Sequence, residues 1–61
     1  MLIGETFKHH DSEYRVVADL RPAHDVVMVE RADLRLPDGG PIRSYYQARL
    51  AAKHIVLTRE A

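Results

Sequence analysis

The sequence predicts an α+β fold in which a small antiparallel β-sheet of three to five strands precedes one C-terminal helix or helical turn. Two segments, residues 14–20 and 25–31, are rich in β-branched residues, and the first alternates between apolar and polar positions. From Ser44 onward, apolar residues recur at the spacing of a helix. With 61 residues, the chain has room for a single small globular domain over residues 1–61.

The N-terminal part is predicted to form strands joined by tight turns. Residues 5–9 are expected to form a short first strand. A turn should follow at residues 10–12, because Asp and Ser side chains bond the nearby backbone. The sequence Arg-Pro-Ala-His at residues 21–24 predicts a hairpin loop, since proline cannot donate to a sheet ladder. Between these turns, four residues are expected to share one face of the second strand: Tyr14, Val16, Ala18 and Leu20.

The next strand, over residues 25–31, is expected to continue after a bend near Arg31. The strongest turn signal in the chain follows it, Pro-Asp-Gly-Gly-Pro at residues 37–41. Ile42 then either starts a returning strand or packs beneath the turn.

The C-terminal part predicts a helix over about residues 45–53. Residues 44–47, Ser-Tyr-Tyr-Gln, match a capping box, in which the Ser and Gln side chains bond first-turn amides. Residues 54–61 leave two alternatives, because residues 54–58 fit both a helix and a strand. A continuing helix would lie across one face of the sheet, whereas a closing strand would complete a five-stranded, SH3-like barrel with one inserted helical turn.

Composition excludes several classes of protein. The chain has no cysteine, so it has no disulfide framework and no thiol nucleophile, and its expected location is the cytoplasm. No apolar run approaches the roughly 20 residues that span a bilayer, and the N-terminus lacks the features of a signal peptide. No membrane partner is therefore expected.

Residues suited to catalysis or metal binding are present but not in a recognisable arrangement. His9 and His10 are adjacent and should point to opposite faces of a strand, and no metal-ligand spacing links them to His24 or His54. The two serines lie in no nucleophile elbow. We therefore predict no enzyme activity, no catalytic, metal or cofactor residues, no cofactor and no small-molecule substrate. A histidine-based metal or hydrolase site is the least favoured of the functional hypotheses.

Charge and aromatic residues suggest where a partner could bind. Residues 1–40 carry eight acidic and five basic side chains, whereas residues 41–61 carry four basic ones and a single acid. This asymmetry predicts either an internal charge complement or a polarised binding surface. Cations interleaved with tyrosines near the predicted helix suit a protein hot spot or a nucleic-acid surface. The candidate partner-binding residues are Arg43, Tyr45, Tyr46, Arg49 and Lys53.

These features favour a small non-enzymatic interaction protein. A domain of this size buries little surface, so it often gains stability from a partner or from a second copy. The leading hypothesis is a regulator, subunit or phage-type inhibitor that binds a protein, or itself, through the tyrosine- and arginine-bearing face or an open sheet edge. The protein bound could be a larger machine, including one that handles nucleic acid. The alternative is a nucleic-acid-binding small β-barrel that uses the same basic and aromatic face.

Overall fold

The computed structural model describes residues 2–60 and contains a four-stranded antiparallel sheet followed by one helix. The strands follow one another across the sheet in chain order, which confirms the α+β class and the hairpin connections. The sheet is not closed into a barrel. The elements are β1 (Thr6–His9), β2 (Ser12–Asp19), β3 (Val26–Arg35), β4 (Pro41–Gln47) and α1 (Ala48–Glu60).

The β1–β2 hairpin turns through His10 and Asp11, which confirms the predicted turn. Both residues have positive φ, 50° and 63°, as the two central positions of a type I′ turn require. This turn places Phe7 of β1 directly opposite Tyr14 of β2. The first predicted strand is therefore present, one residue shorter than expected.

A bulge in β2 changes the predicted face of its second half. Val16 pairs with Val29, but the register shifts by one residue before Ala18 pairs with Met28. The extra residue in the bulge, Val17, turns Ala18 to the face opposite Val16. The prediction that the even residues of β2 share one face is therefore wrong beyond Val16.

The β3–β4 hairpin extends beyond the part of the sheet that the helix covers. Residues 32–35 of β3 are exposed, and the register to β4 is irregular between Glu30 and Arg35. The turn contains Gly39 at φ 87°, a conformation that glycine adopts without steric cost. The turn at residues 37–41 and the returning strand at Ile42 are both confirmed.

The helix begins later than predicted, because residues 41–47 form β4. Ser44 lies in the middle of this strand opposite Val29, so the predicted capping box is wrong. Tyr45 and Tyr46 pair with Met28 and Val27, and aromatic residues fit a pleated sheet well. Residues 54–60 continue the helix to Glu60, so of the two alternatives, helix or closing strand, the helix is correct for them. Ala61 lies outside the described residues.

The core lies between one sheet face, here called the inner face, and α1. The largest fully buried side chain, Phe7, comes from the sheet, and the two buried alanines of α1 let the helix approach the sheet closely. The ring of Phe7 lies 5.1 Å from that of Tyr46 and 5.5 Å from that of Tyr14. The buried core residues are Phe7, Val16, Val27, Val29, Ala48, Ala51 and Ile55.

Candidate interaction surface

The two edges of the sheet differ in how they are covered. At the β1 edge, the amide of Lys8 donates a hydrogen bond of 3.3 Å to Oγ1 of Thr58 in α1. At the next helix position, the Arg59 guanidinium donates to the carboxylate of Glu5. The end of the helix therefore covers the β1 edge and occupies one of its free donors.

The β4 edge has no such cover among residues 2–60. The ladder between β3 and β4 continues to Ala48, whose amide donates to the Asp25 carbonyl at 3.0 Å. In an antiparallel ladder every second residue bonds to the neighbouring strand. The intervening residues of β4 therefore direct their amides and carbonyls away from β3: Arg43, Tyr45 and Gln47. We call these outward backbone groups the β4 edge.

The sheet face opposite α1, here called the outer face, carries an exposed tyrosine beside this edge. Tyr45 is 66% exposed and lies opposite Met28. Its neighbour on the same face, Arg43, donates to the Glu30 carboxylate at 2.7 Å. An aromatic ring and an ion-paired arginine thus accompany the open backbone groups.

Three exposed leucines lie in the segments that precede and follow β4. Leu34 and Leu36 lie on the protruding β3–β4 hairpin, and Leu50 lies in the first turn of α1. Together with Tyr45, these residues account for four of the seven large apolar side chains described as exposed. Exposed apolar side chains therefore lie towards both ends of β4 as well as on it.

The structure does not bring the five predicted site residues onto one helix face. Arg43, Tyr45 and Tyr46 belong to β4, and they divide between its two faces because side chains alternate along a strand. Arg43 and Tyr45 lie on the outer face. Tyr46 packs against the core from the inner face. Arg49 and Lys53 lie on α1, which covers the inner side of the sheet.

Ion pairs between the two halves of the chain account for most of the charge asymmetry. Arg49 donates to Asp25 at 3.1 Å, and the pairs Arg43–Glu30 and Arg59–Glu5 also join a C-terminal cation to an N-terminal acid. All three pairs are partly exposed, so each contributes little to stability. Within residues 2–60, Lys53 is the one basic residue of the predicted set without an acidic partner.

Three histidines meet beside the core, which sequence reasoning missed. The ring of His9 lies 4.1 Å from that of His10 and 5.0 Å from that of His54. His10 approaches His9 because it leaves the strand at the turn, so the prediction that the two point to opposite faces is wrong. Within the described chain, no three His, Asp or Glu side chains form a group that could hold a metal ion.

We expect the histidine cluster to make stability depend on pH. Partial burial lowers the pKa of His9, and the neighbouring His10 and His54 lower it further. The unfolded chain then takes up a proton more readily than the folded one as the pH falls below about 6.5. Protonation of His9 therefore leaves the free energy of unfolding unchanged above about pH 6.5 and lowers it below that pH. We expect a lower melting temperature at about pH 5.5 than at about pH 7.5. Thermal unfolding followed by circular dichroism at the two pH values measures this.

Two asparagine variants isolate the contribution of His9. His9→Asn should reduce the pH dependence, whereas His24→Asn should leave it unchanged, since His24 lies exposed in the β2–β3 loop. An equal pH dependence in all three proteins would contradict the assignment to His9.

An open depression of about 450 Å³ lies between the β1 edge and the end of α1, lined by Lys8, His54, Leu57 and Thr58. Its polar lining groups are the Lys8 ammonium, the His54 imidazole and the Thr58 hydroxyl, and the Thr58 hydroxyl already accepts a hydrogen bond from the Lys8 amide.

The arrangement defines a small α+β domain in which, over residues 2–60, one sheet edge is covered by the helix and the other is not. Comparisons with protein-family models, with curated proteins and with solved structures found no match for the chain. In residues 2–60, no helix has the length and apolar character needed to cross a membrane.

Proposed function

We propose that this protein is a non-enzymatic interaction module that binds an extended protein segment along the β4 edge. The observation that carries the proposal is the difference between the two edges. The Lys8 amide is bonded by Thr58, whereas the outward groups of β4 have no partner within the described residues. Proteins usually protect a sheet edge, so an uncovered one is a template for strand addition.

The side chains beside the edge supply selectivity. Main-chain hydrogen bonds give strand addition its affinity, and alternate side chains choose the partner. On the outer face, Tyr45 offers a large amphipathic ring, and Arg43 offers a guanidinium held by Glu30. Tyrosine and arginine are among the residue types that contribute most at protein interfaces. Such a module suits a cytoplasmic regulator, subunit or inhibitor of a larger protein.

Nucleic acid is the less favoured partner. Binding to phosphates depends on the number of cations that face them, and two of the three cations in the predicted set are paired with carboxylates. The two tyrosines also lie on opposite faces of β4, so they offer no common stacking platform.

The test is an affinity capture from the source lysate with four bait proteins: wild type, Tyr45→Pro, Tyr45→Ala and the control Thr58→Val. Tyr45→Pro removes an outward amide without removing a bond to β3, and proline is accepted on an edge strand in that position. Tyr45→Ala removes the ring but keeps the amide. We expect Tyr45→Pro to reduce the retained partner at least about tenfold, because main-chain bonds supply the affinity of strand addition. Tyr45→Ala should have a smaller effect.

Thr58→Val at the covered β1 edge is the matched control and should retain the partner. The capture is repeated after nuclease treatment and at raised salt. Equal retention by wild type and Tyr45→Pro would overturn the proposal. Loss of all retention after nuclease treatment would overturn it as well, and would assign the module to nucleic acid.

A further inference from the structure

We propose that the β4 edge binds the β4 edge of a second copy of this chain, forming a two-fold symmetric dimer with one continuous sheet. This inference rests on the proposed function of the β4 edge and names its partner. The two four-stranded sheets would join through antiparallel pairing of β4 with itself. A two-fold symmetric dimer is the commonest form of soluble homo-oligomer.

The length of β4 selects one register. β4 runs from Pro41 to Gln47, so Ser44 is its central residue. Antiparallel pairing centred on Ser44 matches every residue of the strand with one from the other copy. Pro41 then lies opposite Gln47, and its missing amide ends the ladder at each side. The pairing is therefore finite and closes after two copies.

The side chains brought together in this register are complementary. Arg43 of each copy lies opposite Tyr45 of the other on the outer face, an arrangement that allows a cation–π contact. On the inner face, Ile42 lies opposite Tyr46, which joins two partly buried apolar side chains. No residue faces a like charge.

Neighbouring registers are less favourable. Moving the centre of symmetry to Arg43 would place two arginines directly opposite each other, which is destabilising. Moving it to Tyr45 would leave Pro41 and Ile42 unpaired at each end. The Ser44 register is the one that pairs the whole strand without charge repulsion.

The dimer also places exposed leucines at the contact between copies. Because Pro41 lies opposite Gln47, the β3–β4 hairpin of one copy runs beside the first turn of α1 in the other. Leu34 and Leu36 lie on that hairpin, and Leu50 lies on that turn. A two-fold axis perpendicular to the sheet keeps both helices on the same face. They begin at opposite ends of the paired strands, about 20 Å apart, so they do not collide.

The first measurement is the mass of the untagged protein by sedimentation velocity, from about 1 µM to about 500 µM. One strand per copy with a few flanking leucines is a small interface, so we expect a dimer with a dissociation constant of about 1–100 µM. Tyr45→Pro should raise this constant at least about 100-fold, because it interrupts the ladder on both sides of the symmetry axis. Thr58→Val should leave it unchanged.

The second measurement tests the register with single cysteines, since the natural chain has none. Ser44 bonds to β3, so in the dimer the two Ser44 residues form a non-hydrogen-bonded pair with Cα atoms about 4.5 Å apart. That separation lies within the range of a disulfide, about 4.4–6.8 Å. Ser44→Cys should form a covalent dimer under mild oxidation. Gln47→Cys, on the same exposed strand, should not, because the two Gln47 residues lie about 20 Å apart.

A monomer at every concentration, a dimer unaffected by Tyr45→Pro, or equal crosslinking of the two cysteine variants would each overturn the dimer. These failures are distinguishable from failure of the proposed function. If the protein is monomeric but captures a different protein, and Tyr45→Pro abolishes that capture, the proposed function stands. Only the proposal that the partner is a second copy is then overturned.

Discussion

Phe7→Ala is expected to remove a large part of the free energy of unfolding of the protein. Phe7 is fully buried and its ring contacts residues from three other elements: Tyr14 in β2, Tyr46 in β4 and His54 in α1. Truncating such a side chain costs about 3–5 kcal/mol, through lost burial and the cavity that remains. A chain of 61 residues has a total stability of about 3–9 kcal/mol at the usual 0.05–0.15 kcal/mol per residue. The loss is therefore comparable with the whole stability.

Urea unfolding followed by far-UV circular dichroism measures this effect. Phe7→Leu is the matched control, and it should cost about 1–1.5 kcal/mol because most of the volume is kept. The proposed dimer adds stability that depends on concentration, so all three proteins are compared at one low protein concentration. A midpoint for Phe7→Ala equal to that of wild type would show that the Phe7 side chain is not the centre of the core.

Ile55→Ala is expected to cost about 2–5 kcal/mol, the second-largest effect. Ile55 is 3% exposed and is the largest side chain that α1 contributes to the buried core. The other two buried helix residues are alanines, so no neighbouring buried helix side chain can fill the space that Ile55 would leave.

Val56→Ala provides a control at the adjacent position. Val56 is 52% exposed, so its truncation should change the free energy of unfolding by no more than about 0.5 kcal/mol. The urea midpoints of the two variants test which face of α1 packs on the sheet, because only Ile55→Ala should lower the midpoint strongly. Equal destabilisation by both, or a larger loss for Val56→Ala, would contradict the placement of the helix on the sheet.

Much of the sheet was predictable because its signals are local. Alternation and β-branched residues located β2, and the Pro-Asp-Gly-Gly-Pro segment located the β3–β4 turn. Each of these signals acts over a few residues through backbone preference and side-chain alternation. The boundary between β4 and α1 was mispredicted because residues 44–47 suit both a helix start and a strand. Pairing with β3 satisfies their backbone and buries Tyr46, and that pairing partner lies almost 20 residues earlier in the chain.

The arrangement of the candidate interaction surface was not predictable from the sequence. Arg43 and Tyr45 were assigned to a helix face, whereas the structure places both in β4, on the outer face of the sheet. The feature that makes this surface a candidate site is the open backbone of β4, which no residue-type pattern could reveal. Whether a strand edge is open depends on what lies beside it in space.

The sequence by itself determined the α+β class, the absence of cysteine chemistry and the position of the main turns, because these depend on composition and short-range preference. The tertiary structure decided that residues 54–60 are helical, that three histidines meet, and that α1 covers the β1 edge rather than the β4 edge. Each of these outcomes depends on contacts between residues that lie far apart in the chain. Those contacts are determined by packing and hydrogen bonding over the whole domain, and no local stretch of sequence encodes them.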